Sequence, residues 1–292
     1  RYVDIFEERG LDMPAINNPY IGARLLQGRL AAMQAEAERR YAGILRRMHN
    51  AGVTLEEMDR FLTAQHAKER NDYVATINPA FPDGGSGMFT NDAANILQAE
   101  RIRGRFNAMN AFAVDWRAML HEALESRRDA GLITRETFDT LNNTYKNYVP
   151  LRGAPVQPHD ADFEEFGESF GRGLSTGGRG MPAAMGRRSD ALGVTSQIGF
   201  VHEDSIRRVA RNEIGQSFLR LVMGVNDPEM AQIVRPRRRV IMGGQVRQIH
   251  DMGWTQNPRN FGVYINEDMQ INGHDYAPGD LVVIQINNRR LA

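Results

Sequence analysis

The 292-residue chain contains no cysteine. This excludes disulfides, thiolate-ligated zinc, iron–sulfur clusters and a thiol nucleophile. Lysine is nearly absent as well: Lys68 and Lys146 are the only two, and every other basic side chain is arginine. Arginine suits planar, two-pronged contacts with carboxylate or phosphate. No apolar run approaches the roughly 18 residues of a membrane-spanning helix, so no span is expected. The opening Arg1-Tyr2-Val3-Asp4 has neither an initiator Met nor a signal peptide, and the last residues are Arg289-Arg290-Leu291-Ala292. A segment of a longer polypeptide is therefore expected.

Catalytic signatures are missing too. The chain has no Gly-x-Ser-x-Gly elbow, Walker loop or dinucleotide fingerprint. His121-Glu122 lacks the second His of a zinc protease. Gly84-Gly85-Ser86-Gly87 has neither a preceding strand nor the Gly-Lys-Ser/Thr of a phosphate loop. The carboxylates of residues 160–168 lie in a polar stretch that would not hold one pKa above another, as an acid/base pair requires. No catalytic, cofactor-binding or metal-ligating residue is expected, and the chain is not read as an enzyme.

What is present is helical periodicity followed by a change of character. Asn18 can cap a helix and Pro19 can take its first position. From there to Asn50, apolar residues step by threes and fours, and Ala51-Gly52 ends the run. Thr54 with Glu57 is a capping box that opens a helix to about Val74. After a loop over 78–90, Thr90 is expected to cap one helix running to about Ala130. A shorter helix then runs from Thr134 to Tyr148, where Pro150 must stop it. His49 and His66 lie near apolar residues and read as solvated or core histidines.

Residues 154–197 are rich in glycine and expected to form a flexible linker or arm. A further helix spans about 203–222, with Arg207, Arg208 and Arg211 near its start. Beyond Pro228 the period drops to two, with strands expected at 232–234, 240–242, 246–250, 261–265, 269–271 and 281–286. Gly243-Gly244 and Asn272-Gly273 are hairpin turn signals. The fold class is α+β, mostly α: long antiparallel helices, a Gly-rich arm, one further helix and a small antiparallel β subdomain. The units expected are 1–153, 154–197 and 198–292.

Net charge is zero but unevenly spread. Residues 1–168 carry 20 basic and 25 acidic side chains, while 169–292 carry 16 and 11. This asymmetry makes head-to-tail self-pairing electrostatically reasonable. Candidate contacts for an anion or acidic partner are Arg235, Arg237, Arg238 and Arg239, with Arg187 and Arg188 in the Gly-rich stretch.

Five blocks occur in a familiar order. They are His66-Ala67-Lys68-Glu69-Arg70-Asn71; Gly85-Ser86-Gly87-Met88 with Thr90; Asn147-Tyr148-Val149-Pro150-Leu151-Arg152-Gly153; Gly186-Arg187-Arg188-Ser189; and Arg211-Asn212-Glu213-Ile214-Gly215-Gln216. This succession resembles a block in large polyvalent (PLxRFG-containing) proteins of phages and mobile elements, over roughly residues 60–292. Many members continue the third block as Pro-Leu-x-Arg-Phe-Gly; here it reads Pro-Leu-Arg-Gly. The resemblance implies a segment of an internal virion (core or ejection) protein, packaged in the capsid and delivered into the host with the genome. Its implied partners are copies of itself, portal or other core proteins and packaged double-stranded DNA, with enzymatic modules elsewhere on the polypeptide. Two alternatives are a nucleic-acid-contacting module and, last, a peptidoglycan-cleaving module.

Overall fold

Asn18 and Pro19 open the first helix. The Asn18 carboxamide accepts from the N–H groups of Tyr20 and Ile21, and Pro19 needs no such partner. The computed structural model describes residues 18–151, 193–242, 245–250 and 260–287, with the isolated positions Asp4 and Glu8; within 237–250 it describes the backbone alone. The helices are α1 (Pro19–Asn50), α2 (Leu55–Ile77), α3 (Thr90–Ile102), α4 (Phe106–Asp129), α5 (Arg135–Thr144) and α6 (Val194–Val225). The strands are β1 (Ala231–Val234), β2 (Arg237–Met242), β3 (Gln245–His250), β4 (Asn260–Tyr264), β5 (Met269–Ile271), β6 (His274–Tyr276) and β7 (Leu281–Ile286). The chain is mostly helical with small antiparallel sheets, as the change of period implies.

The capping box of α2 forms in full: Thr54 Oγ1 accepts from Glu57 N–H, and Glu57 accepts from Thr54 N–H. One long helix over 90–130 does not. It breaks at Arg103-Gly104-Arg105, with Gly104 at φ +69°. Gly104 N–H donates to Arg101 O and Arg105 N–H to Glu100 O, a Schellman close that needs the left-handed region. Arg105 then bridges Glu57 at 2.7 Å and Glu100 at 2.9 Å, and both carboxylates push its pKa upward. The next helix starts one residue after Thr134, which caps it, and stops at Thr144 rather than Tyr148. Thr90 is inside the first turn of α3, not its cap, and its hydroxyl donates to Asp83 at 2.7 Å.

The largest departure is α6, which begins at Val194 rather than near residue 203. Its cap comes from another element. Asp59 on α2 accepts from the Thr195 N–H at 2.7 Å and also from Val194 N–H. Burial raises the Asp59 pKa, and those two N–H groups oppose the rise. The last residues of the expected arm are therefore helical, with Val194 and Thr195 fully buried; residues 154–192 lie outside the description.

Two cores share α6. Val194, Ile198 and Val201 join Phe61, Leu62, Trp116, Met119 and Leu120 in the helical core. Phe218, Leu219, Leu221 and Val222 pack with Val263, Val282 and Ile284 of the sheet. That sheet has the order β1-β7-β4, all antiparallel. Leu281, Val282, Val283 and Ile284 are all fully buried, as suits a central strand covered on both faces. β2–β3 and β5–β6 form separate hairpins. Asn272 and Gly273, both at positive φ, turn the latter; β6 is a strand beyond those expected from alternation.

Candidate functional site

Three of the five motif blocks meet on α2. Asn71, 1% exposed, is the first point of contact. Its Oδ1 accepts from Ser86 N–H at 2.8 Å. Its Nδ2 reaches Asp83 Oδ1, Met88 O and Thr90 Oγ1 at 2.8–3.1 Å. One carboxamide thus fixes the loop before α3. Asp83 also accepts from Gly84 N–H and from the Thr90 N–H and hydroxyl. Burial opposes ionisation of Asp83, but these bonds outweigh it and hold its pKa below the usual range.

Two residues earlier on the same helix, Glu69 takes the third block. Its carboxylate accepts from Lys146 N–H and Asn147 N–H, both at 3.1 Å. These bonds explain why α5 stops before Lys146: the backbone donors that would extend the helix are turned toward Glu69 instead. His66 Nδ1 lies 3.2 Å from Glu69 Oε2. An ionised carboxylate can only accept, so the imidazole proton sits on Nδ1. The ring is 1% exposed and meets Tyr145 and Tyr148 edge-on at 5.0 and 5.7 Å. Val149 and Pro150 are buried, and Tyr148 and Leu151 pack on the helical core. Arg152 and Gly153 lie outside the described residues.

Burial depresses the His66 pKa, while the bond to Glu69 pulls it upward and Arg70 and Arg117 push it down. The unfolded chain, with its ordinary His pKa near 6.5, takes up the proton first as pH falls. Stability is then complete above about pH 6.5 and declines below it until the buried group itself titrates. We expect the chain to lose stability to urea between pH 7.5 and 5.5. His66→Gln should shallow that slope without flattening it, because His202 is also depressed, chiefly by burial. Equal slopes for parent and variant would remove His66 from the account.

The fifth block, 211–216, is used elsewhere. Asn212, fully buried, donates to Ala130 O and Tyr264 O and accepts from Tyr264 N–H, all at 2.8 Å. Gln216 adds a bond to Tyr264 O at 3.0 Å. Among the described residues β4 is an edge strand, and these amides supply Tyr264 with the bonds a further strand would give. The 186–189 block lies outside the description.

The predicted anion contacts separate. Arg235 pairs with Asp280 at 3.3 Å and lies 4.7 Å over the Tyr276 ring, so it serves the chain's own sheet. Arg237, Arg238 and Arg239 lie on β2, opposite His250, Ile249 and Gln248. Arg187 and Arg188 are outside the description. Arg207, Arg208 and Arg211 cluster on α6: burial and the first two lower the Arg211 pKa, although Arg207 also pairs with Glu203 at 2.8 Å.

An open depression beside the α1–α2 turn is lined by Leu45, Met48, Val53 and Leu55, with His49 at its edge. Among the described residues, no three His, Asp or Glu side chains gather as metal ligands. No described helix is long and apolar enough to cross a membrane. Comparison of the chain with protein families, with curated proteins and with solved structures finds no match in any of the three.

Proposed function

We propose that this chain is a structural module of a phage internal virion protein, packaged in the capsid and delivered with the genome. On this reading it assembles with copies of itself and with portal or other core proteins; it is not itself an enzyme and needs no cofactor. One observation carries the reading: the motif side chains Asn71, Glu69 and Asn212 bind the backbone of distant parts of the same chain. Residues used in this way hold the chain's own shape, which is what an assembling part must keep. Long amphipathic helices with exposed apolar residues, among them Leu25 and Ile102, add surface for neighbours.

The test is location. Imaging of intact particles carrying a tagged copy should place the chain inside the capsid around the portal axis. Purified particles that lack it, with the chain free in infected cells, would overturn the proposal. A nucleic-acid reading is favoured by one feature: Arg237, Arg238 and Arg239 occupy a two-stranded ribbon, a shape that fits the DNA major groove. Retention on duplex DNA that falls steeply with salt would support it. R237S/R239S then discriminates, since lost DNA retention with intact assembly transfers the assignment to nucleic acid.

A further inference from the structure

Helix α1 has two stripes, and the described fold covers one. The inner stripe (Ala23, Leu26, Leu30, Gln34, Ala37, Tyr41) is half-buried. It faces α6, where Gln34 donates to Glu203 at 3.4 Å and Arg29 pairs with Glu213 at 2.9 Å. The outer stripe is Ile21, Leu25, Gly28, Ala32 and Ala35, exposed at every position. These residues recur alternately four and three apart, the spacing of a two-helix seam. Leu25 is 59% exposed and Ile21 39%, on a face with no described neighbour.

Gly28 adds a second observation. A glycine inside a helix costs about 1 kcal/mol relative to alanine, and a methyl group added here would meet nothing within 4 Å. Nothing among the described residues asks for that glycine. A second helix approaching closely at Gly28, Ala32 and Ala35 does ask for it.

Charge then selects the occupant and its direction. Arg24 and Glu38 flank the seam on one side, and neither forms an ion pair with a described residue. We propose that α1 pairs antiparallel with α1 of a second copy, centred at the level of Leu30. Leu25 then opposes Ala35, Gly28 opposes Ala32, and Ile21 lies on the stem of Arg39. Each Arg24 meets the other copy's Glu38, so one ion pair forms twice by symmetry. Parallel pairing would instead turn Arg24 toward Arg29, a like charge. The proposal rests on the assembly reading and names the surface that serves it.

The absence of cysteine makes a direct test possible with the full chain. Leu25→Cys and Ala35→Cys, oxidised as a mixture, should cross-link to each other. Each alone should not, because equivalent positions lie about 15 Å apart along the antiparallel pair, beyond disulfide reach. In sedimentation at micromolar concentration, Leu25→Glu should abolish the dimer while circular dichroism stays unchanged. Arg24→Glu or Glu38→Arg should each weaken association roughly fivefold, for two exposed pairs, and R24E/E38R together should restore it. A Leu25→Cys homodimer would overturn the antiparallel register. If parent and Leu25→Glu assemble equally, this surface is wrong and the assembly reading stands. A monomeric parent removes both.

Discussion

Gly131→Ala is expected to destabilise the chain by about 2–5 kcal/mol, from left-handed strain plus overpacking. Gly131 follows the C-cap of α4 at φ +75°. Its N–H bonds to Arg128 O at 2.9 Å, and Leu132 N–H to Arg127 O at 2.8 Å, closing a Schellman motif. Left-handed backbone alone would be a modest difficulty for alanine. The greater one is Ile265: a Cβ at residue 131 would lie 1.9 Å from its carbonyl oxygen. Backbone atoms cannot rotate aside as a side chain can, so the α4 turn and the segment after β4 must separate. Urea unfolding of parent and variant measures this. A change below about 0.5 kcal/mol, typical of an indifferent surface site, would mean the close approach does not exist.

Asn212→Leu should cost a similar amount at the same junction. The substitution keeps the branching and heavy-atom count of the side chain but deletes the amide that serves Ala130 O and both polar groups of Tyr264. Gln216 still serves Tyr264 O, leaving Ala130 O and Tyr264 N–H without partners in a buried site. Each unmet group costs about 1–3 kcal/mol, so roughly 2–6 kcal/mol is expected. Hydrogen exchange offers a local check: the Tyr264 amide should lose protection far more than those of the β1–β7 pair. Unchanged protection at Tyr264 would show that the Asn212 amide is not its partner.

These two sites mark where sequence reading reached its limit. Helix starts written in local chemistry were legible: Asn18-Pro19, the Thr54–Glu57 box and Thr134 all act where their residue types put them. So were β5, β7 and the Asn272-Gly273 turn, because alternation and turn chemistry are local. The break at Gly104 was hidden because apolar spacing continues across it, and a Schellman turn requires a change of direction without a change of period. The start of α6 was hidden for a different reason: Asp59, its cap, is 136 residues away in sequence. The site was legible as motif blocks, but not as an assembly. Nothing about Glu69 alone announces that it will hold Lys146 and Asn147, and nothing about Arg235 alone announces its pairing with Asp280.

The position of α6 also sets an order of events during synthesis. Gln34 and Glu203 touch across 169 residues. At roughly 5–20 residues per second, α1 leaves the ribosome on the order of 10–30 s before the part of α6 that covers it. For that interval its inner stripe faces water, and α2 likewise waits with the Asp59 carboxylate lacking the α6 N–H groups that it will cap. The early chain therefore lacks one wall of its helical core, and the stretch up to residue 50 is where a chaperone or a neighbouring nascent chain has the longest time to bind.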